Sequence, residues 1–466
     1  MSEVAAARIA ARLDRLPASR SVWALVFWIS LGGLFEFYNL FLTGYIAPSL
    51  VRAGLFTDRS LGPFAVLKSI AVGGVGTFVF STFAGLWAGA LLLSPLIDRC
   101  GRRSVFLGAM LWYTVCSAIM AFQRTGEALN LWRFAAGVGF GLQLVTQDAF
   151  LAELMPFAER GRAFAVNQFV TFGVVPLAAL LAWLLAPVHF AGLAGWRWVI
   201  LLGTSGLAVA GLLHRFLPES PRWLALHGRE AEAERIVAAL ERRVAAETGR
   251  PLPPPRPPTP EQAGPGRLSE LLSPRYVERT LMLGIFNVAQ VIGFYGFAAW
   301  VPTLLMARGI TITASLEYSF IIASANPIGP LLATFFADRL ERRTQIIGGL
   351  ACMALFMAGF SLASSPLSLI LLGVMFTLSA NVMSYAYHAY QAELFPTRLR
   401  GRAIGFVYSW SRLTAAFAAL IVGFFLHFGG VPAIAAFIGV AMAIGVIIVG
   451  VFGPDTRARP LEAVNF

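Results

Sequence analysis

Charge, acidic residues and cysteine are all scarce in this chain. Charged residues fill 13% of its 466 positions while 58% are hydrophobic, and the mean hydropathy is +0.72. A soluble globular fold cannot cover itself with so little polar surface, so the composition excludes that class and makes the lipid bilayer the chain's first partner. The three cysteines, Cys100, Cys116 and Cys352, are odd in number and lack metal-ligand spacing. That excludes a disulfide framework and a zinc site, and no metal or other cofactor is expected. Acids are the scarcer charge, 24 against 36 Lys and Arg, for a net charge of +12. The arginines nevertheless sit in short loops beside apolar runs instead of one stripe or tail, so no nucleic-acid partner is expected. His189, His214, His227, His388 and His427 lie far apart, and no nucleophile elbow or phosphate loop is present, so the chain is not read as an enzyme. Residues 1–20 carry no short apolar core with a small-residue cleavage site, and the start of the chain is expected to stay in the cytoplasm.

Long apolar runs, by contrast, are abundant. Twelve stretches meet the length a membrane-spanning helix needs, at about 22–49, 70–97, 104–122, 128–151, 163–187, 197–217, 280–306, 317–337, 344–363, 366–391, 403–427 and 431–452. With the N-terminus inside, Arg99, Arg102, Arg103, Arg160, Arg162, Arg339, Arg342, Arg343, Arg398, Arg400 and Arg402 share one side. The other side keeps Arg52, Arg59, Lys68, Arg124, Arg197 and Arg308. That bias predicts two cytoplasmic termini. Residues 1–217 are read as one six-helix bundle, 218–279 as a cytoplasmic linker, 280–453 as a second bundle and 454–466 as a cytoplasmic tail. Within the linker, Arg229 to Ala246 has the charged, alanine-rich pattern of a surface helix and Pro251 to Gly266 is too rich in proline for a regular element, which predicts a solvated hinge.

The two halves repeat. Asp98-Arg99-Cys100-Gly101-Arg102-Arg103 returns in charge order as Asp338-Arg339-Leu340-Glu341-Arg342-Arg343, 240 residues later, and Glu153-Leu154-Met155-Pro156 returns at the same offset as Glu393-Leu394-Phe395-Pro396. One offset shared by separate blocks fits duplication of a whole bundle.

These loops carry a family resemblance. Ser94 through Arg103 resembles the signature between helices two and three of the major facilitator superfamily, with Ser94 in place of the family's first glycine. Its second copy departs similarly at Thr334 and Glu341. Arg133 through Gly141 resembles the helix-four motif. Pro218-Glu219-Ser220-Pro221-Arg222-Trp223-Leu224 resembles the sugar-porter and organic-ion-transporter signature, and Tyr295 through Pro302 resembles helix seven of aromatic-acid and metabolite symporters. The resemblance implies an all-α membrane protein of twelve helices in two pseudo-symmetric bundles that rock about a central cavity. It also implies that Asp98, Arg102, Glu153, Arg162, Glu219 and Arg222, with Asp338, Glu393 and Arg402 in the second half, form gating salt-bridge clusters.

Ionisable groups deep in a span are costly and hence functional candidates. Glu36 stands mid-span and shares a helical face with Asn39 and Thr43. A carboxyl buried in an apolar span holds its proton more readily, which a proton carrier near neutral pH requires, so Glu36 is the candidate carrier; resembling symporters usually have an aspartate where Asn39 stands, and that departure leaves the work to Glu36. On the fourth run, Arg133, Gly137, Gly141, Leu144 and Asp148 form one stripe, and the glycines are expected to serve tight helix packing. Arg133 is the natural partner for Glu36 or Asn39, and Asp148 completes the proton-coupling set. Asn39, Gln143, Gln147, Gln290, Tyr295 and Trp410 are candidate substrate-binding groups. The tenth run adds Asn381, Tyr385 and His388 at helical spacing with Ser384, and His388 falls 240 residues after Asp148. Histidine is the side chain whose ordinary titration spans neutral pH. Arg412 lies about 13 Å along the eleventh run from Ala403, too deep to stand without an anion. Asn326-Pro327-Ile328-Gly329-Pro330 predicts a bend in the eighth run that frees backbone carbonyls.

Together these point to secondary active import of a small organic metabolite, an organic anion in the first instance, by proton symport. A sugar or polyol symporter is the close alternative. An exporting antiporter is a further one, though Gly173-Val174-Val175-Pro176-Leu177-Ala178 lacks the paired glycines common in helix five of that group. A non-transporting receptor on the same fold would carry a larger cytoplasmic domain than the residues from Pro454 to Phe466 can form.

Overall fold

A computed structural model describes residues 2–56, 74–156, 159–255, 268–336, 340–395 and 397–455. The start of the second apolar run, the stretch 256–267 and the tail beyond 455 lie outside the described residues.

Several of the helices begin where a capping side chain accepts from a free backbone N–H. In the first half, α1 (Ser2–Asp14) precedes α2 (Arg20–Arg52), whose cap Ser19 accepts from the Val22 N–H. There follow α3 (Gly74–Leu92), the short α4 (Pro95–Cys100), α5 (Arg102–Ala121), α6 (Gly126–Leu154) capped by Thr125, and α7 (Arg160–Leu185). The sixth run is broken between α8 (Gly195–Gly203) and α9 (Gly206–Phe216). The segment after it folds as α10 (Pro221–Leu226) and α11 (Glu230–Thr248).

The second half repeats the plan with α12 (Val277–Ala298) and α13 (Val301–Ala307) for the seventh run, and α14 (Ile312–Ala323) and α15 (Ala325–Phe336) for the eighth. Next come α16 (Arg342–Leu362), α17 (Pro366–Glu393) and α18 (Thr397–Phe452). The last covers two runs, parted where Gly430 takes a positive φ of 63° ahead of Pro432. The eighth run breaks at Ser324, and Asn326 Nδ2 donates to the freed Ala323 carbonyl at 3.0 Å. Helix starts keep the sequence offset: α5 and α16 begin at Arg102 and Arg342, α6 and α17 at Gly126 and Pro366. Among the described residues the one departure from an all-helical fold is a pair of two-residue strands, His189–Phe190 and Leu193–Ala194.

Bilayer tails solvate apolar side chains as well as a neighbouring helix does, so helix contacts in a membrane depend on close backbone approach. The α3–α6 seam has it. A Cβ at Gly141 would stand 1.9 Å from the Leu86 carbonyl oxygen, one at Gly137 2.5 Å from that of Thr82, and one at Gly89 2.0 Å from that of Val138. The glycines of the fourth-run stripe therefore serve packing, as expected.

The linker is more than a hinge. One face of α1 is buried through Ala5, Ile9 and Leu13, and the helix packs on α10 and α11. Its arginines close a charge zipper: Arg8 donates to Glu230 and Glu234, Arg12 to Glu234 and Glu241, and Arg15 to Glu241 at 2.7 Å. Burial alone would raise the Glu241 carboxyl, but hydrogen bonds from Arg12 and Arg15 outweigh it and hold the group below the ordinary carboxylate range. A carboxyl that titrates lower folded than unfolded adds stability above its unfolded pKa, about 4.3, and loses it as pH falls through the folded value. Spin labels on α1 and α11 should thus keep one short distance at neutral pH and spread on acidification. A distribution unchanged by acid would contradict the zipper's role.

Candidate functional site

At the arginine-rich end of the first bundle, one carboxylate organises three helix termini. Glu219 Oε1 accepts from the backbone N–H of Arg102 at 2.8 Å, of Arg103 at 3.0 Å and of Ser220 at 2.9 Å, so it sits on the N-terminus of α5 where the helix dipole favours an anion. Gly101 makes room for it: φ is +92°, and a Cβ there would stand 2.4 Å from Glu219 Oε2. Arg102 reaches Asp98 at 3.0 Å and Glu153 at 2.9 Å, and Ser220 donates to the other Glu153 oxygen. Of the gating candidates, Asp98, Arg102, Glu153 and Glu219 thus meet in one cluster.

Arg222 and Arg162 do not join it. Arg222 pairs with Asp14 of α1 at 3.0 Å, a partner that sequence reading missed. The Arg162 side chain is 77% exposed, and among the described residues its ion-pair partner is Glu159, three residues away, at 3.6 Å. Asp338 lies outside the described residues, as do the side chains of Glu393 and Arg402. Removing the hub acceptor in Glu219→Ala should cost about 2 kcal/mol, the scale of hydrogen bonds to a charged group, and lower the thermal midpoint. Arg162→Ala should leave the midpoint unchanged, and equal effects of the two changes would contradict this division.

Within the span, Arg133 does not meet Glu36. Its Nε donates to Thr82 Oγ1 at 2.9 Å, and Nη2 donates to the Asn39 backbone carbonyl and to Thr43 Oγ1. The guanidinium lies 5.6 Å from the Phe78 ring centroid and 5.3 Å from that of Phe140. It is a buried cation held by neutral groups, and only the main chain of Asn39 serves the expected pairing. The Asn39 amide itself donates to the Phe35 carbonyl at 2.9 Å.

Glu36 is fully buried, and among the described residues neither carboxyl oxygen has a hydrogen-bond partner. The charges it interacts with are Arg412, from the opposite bundle, and Asp148. Arg412, 7% exposed, lies over the Tyr408 ring at 4.6 Å and interacts with Tyr295 and Asp148. Asp148 and His388 are exposed although both stand on spanning helices. The His388 and Tyr408 rings are 5.8 Å apart. Glu36, Asp148, Arg412, Tyr295, Tyr408 and His388 therefore gather where the bundles face each other.

The other substrate-binding candidates point elsewhere or stand at the margin. Gln143 and Gln147 turn into the first bundle, where Gln143 donates to the Gly32 carbonyl at 2.9 Å and Gln147 to Asn167 Oδ1 at 3.1 Å. Asn381 is bound to Asn326 Oδ1 at 3.3 Å and to the Thr377 carbonyl at 2.9 Å. Gln290 is buried, Tyr385 is half-buried and Trp410 is exposed. Asn167 and Tyr113, buried polar groups on the fifth and third runs, were not anticipated; their depth in an apolar run is the signal that marks them.

Aromatic pairs join the bundles away from the arginine-rich loops: Phe83 with Tyr295 at 4.7 Å, Phe80 with Phe417 at 5.8 Å and Trp183 with Phe320 at 6.1 Å. Toward the arginine-rich end, Leu91, Leu92 and the 79%-exposed Asp98 side chain are uncovered.

A family model described as "Sugar (and other) transporter" matches residues 25–466. The niacin transporter NiaP of Acinetobacter baylyi is 26% identical, over 98% of this chain and 99% of its own. The gallate transporter of Pseudomonas putida is 28% identical over 96% of each. The partially occluded, inward-open structure of the xylose transporter XylE from E. coli superposes with a TM-score of 0.73 at 20% identity, covering 95% of this chain and 100% of that one. With the fold, the paired bundles and the loop signatures in agreement, the chain belongs to the sugar (and other) transporter family of the major facilitator superfamily, and is a multi-pass membrane transporter and not an enzyme.

Proposed function

We propose that the protein imports a small organic anion across a bacterial inner membrane by proton symport, with both termini in the cytoplasm. The observation that carries this reading is Arg412. It is buried between the bundles, and among the described residues no carboxylate stands within ion-pair distance of it. An arginine so placed is costly to bury unless an anion completes it, and its planar fork matches a carboxylate in two parallel hydrogen bonds. Tyr408, Tyr295 and His388 around it offer ring faces and hydrogen-bonding edges suited to an aromatic or aliphatic acid. The niacin and gallate named for two relatives are both aromatic carboxylates, which supports the same reading.

Proton coupling rests on Glu36. It is the buried carboxyl that interacts with Arg412 and lacks any hydrogen bond of its own, so its charge responds directly to what occupies Arg412. Asp148, exposed beside them, is the second acid through which solute and proton can be exchanged. The cluster around Glu219 and Arg102 would act as the cytoplasmic latch. A sugar or polyol remains the second reading because of the family match and the signature Pro218–Leu224. A thermal-shift screen of purified protein against carboxylates, sugars and amines separates the two. Stabilisation by carboxylates supports the anion reading; stabilisation by sugars alone overturns it.

A further inference from the structure

Although Glu36 is fully buried, Asp148 beside it is exposed, so the Glu36 carboxyl does not open directly onto the space between the bundles. Around it, three helices of the first bundle contribute buried oxygen atoms that have no well-formed hydrogen bond among the described residues. These are both Glu36 carboxyl oxygens on α2, the Tyr113 hydroxyl on α5, and the amide oxygens of Gln143 and Gln147 on α6. Tyr113 interacts with Glu36, and its hydroxyl is within hydrogen-bonding reach of the Gln143 side chain. Gln147 Oε1 presses on Gly33, where a Cβ would stand 2.2 Å away, and Gln143 is tied to the neighbouring Gly32. Both glycines are about one turn of α2 from Glu36.

Polar atoms buried at this density are satisfied in folded proteins, and water serves where protein does not. Beyond Gln147 the groups connect directly. Gln147 Nε2 donates to Asn167 Oδ1 at 3.1 Å, and Ser30 Oγ donates to the same oxygen at 2.8 Å. Asn167 stands seven residues, about 10 Å, from Arg160 at the arginine-rich start of α7. The unsatisfied atoms and the amide chain thus form one polar thread, leading from Glu36 toward the arginine-rich end through the bundle itself.

We propose that Tyr113, Gln143, Gln147, Asn167 and Ser30 hold water that links Glu36 to the arginine-rich end, so that the proton travels inside the first bundle while the solute travels between the bundles. The Glu36 O–H bond breaks, the proton passes to the adjoining water and leaves as a hydrated proton, and the electron pair stays on the carboxylate. The amides and hydroxyls position the water and are not themselves ionised. The charged groups facing Glu36 are Arg412 and Asp148, and Tyr113 is the remaining titratable neighbour. This inference rests on Glu36 as the proton site and deepens it by naming the route.

The test needs no substrate. The full-length protein is subjected to a pH jump, and the carboxyl stretching band is followed by infrared spectroscopy, with the Glu36 band identified by its loss in Glu36→Gln. In Asn167→Leu the band should respond roughly tenfold more slowly, and in Asn167→Ser it should recover most of the wild-type rate. If no band is lost in Glu36→Gln, the proton-site reading itself fails. If the band is present and Asn167→Leu responds as fast as wild type, the route is overturned while the site survives. Equal slowing in Asn167→Leu and Asn167→Ser with a lowered thermal midpoint would make Asn167 a packing residue and would also overturn the route.

Discussion

Replacing Glu36 by glutamine is expected to abolish accumulation driven by a pH gradient and to leave solute exchange close to the wild-type rate. The change keeps the volume of the side chain and removes its ability to exchange a proton. Exchange of internal for external solute needs no net proton movement, so it should survive. Accumulation by symport needs net proton movement, and a one-unit pH difference is worth about 1.4 kcal/mol per proton, which would sustain at most roughly tenfold accumulation if one proton moves per cycle. The variant should fall to a ratio of about 1. Glu36 is the acid singled out because it is fully buried and, among the described residues, without a hydrogen bond, whereas Arg133, also fully buried in the first bundle, is held by Thr82, Thr43 and the Asn39 carbonyl. Undiminished accumulation in Glu36→Gln would remove this residue from the coupling.

Arg412→Ala should have the second large effect. A buried charged partner that loses its counterpart typically costs about 2–4 kcal/mol, or roughly 30- to 1,000-fold in Kd. The loss should fall on carboxylate ligands. Amides or alcohols of the same shape, which never use the charge, should lose only the packing that the guanidinium gives by lying over the Tyr408 ring. Isothermal titration of matched acid and amide pairs reads this directly. Equal weakening of both members would mean that Arg412 supports the helix and not the ligand.

Much of the architecture was legible before any coordinates, because bilayer thickness fixes span length and a duplicated chain repeats its loops. The shared offset of 240 reappears in the helix starts at Arg102 and Arg342 and at Gly126 and Pro366. Breaks within spans were legible only where proline announced them, as at Pro327; the interruption between Gly203 and Gly206 had no such sign. The docking of α1 was not legible, since arginines spaced along an amphipathic helix fit solvent as well as they fit Glu230, Glu234 and Glu241.

Site residues divided along the same line. Depth in the span marked Glu36, Asp148, His388 and Arg412; Asp148, His388 and Arg412 gather where the bundles face each other, with Glu36 buried behind them. Direction around the helix was harder to read. Gln143 and Gln147 adjoin the Asp148 stripe on α6, yet the close approach of Gly32 and Gly33 draws their amides into the bundle. Arg133 likewise found carbonyl and hydroxyl oxygen nearer than any carboxylate, a choice set by helix rotation that periodicity does not encode.

Uptake into proteoliposomes under an imposed pH gradient tests the central claim most directly. A panel containing nicotinate, gallate, benzoate and xylose is offered with and without a protonophore. Coupled anion import predicts that at least one carboxylate rises above its equilibrium level, that the protonophore abolishes the rise, and that xylose does not accumulate. Accumulation of xylose with no response from any carboxylate, or carboxylate uptake indifferent to the gradient, would contradict it.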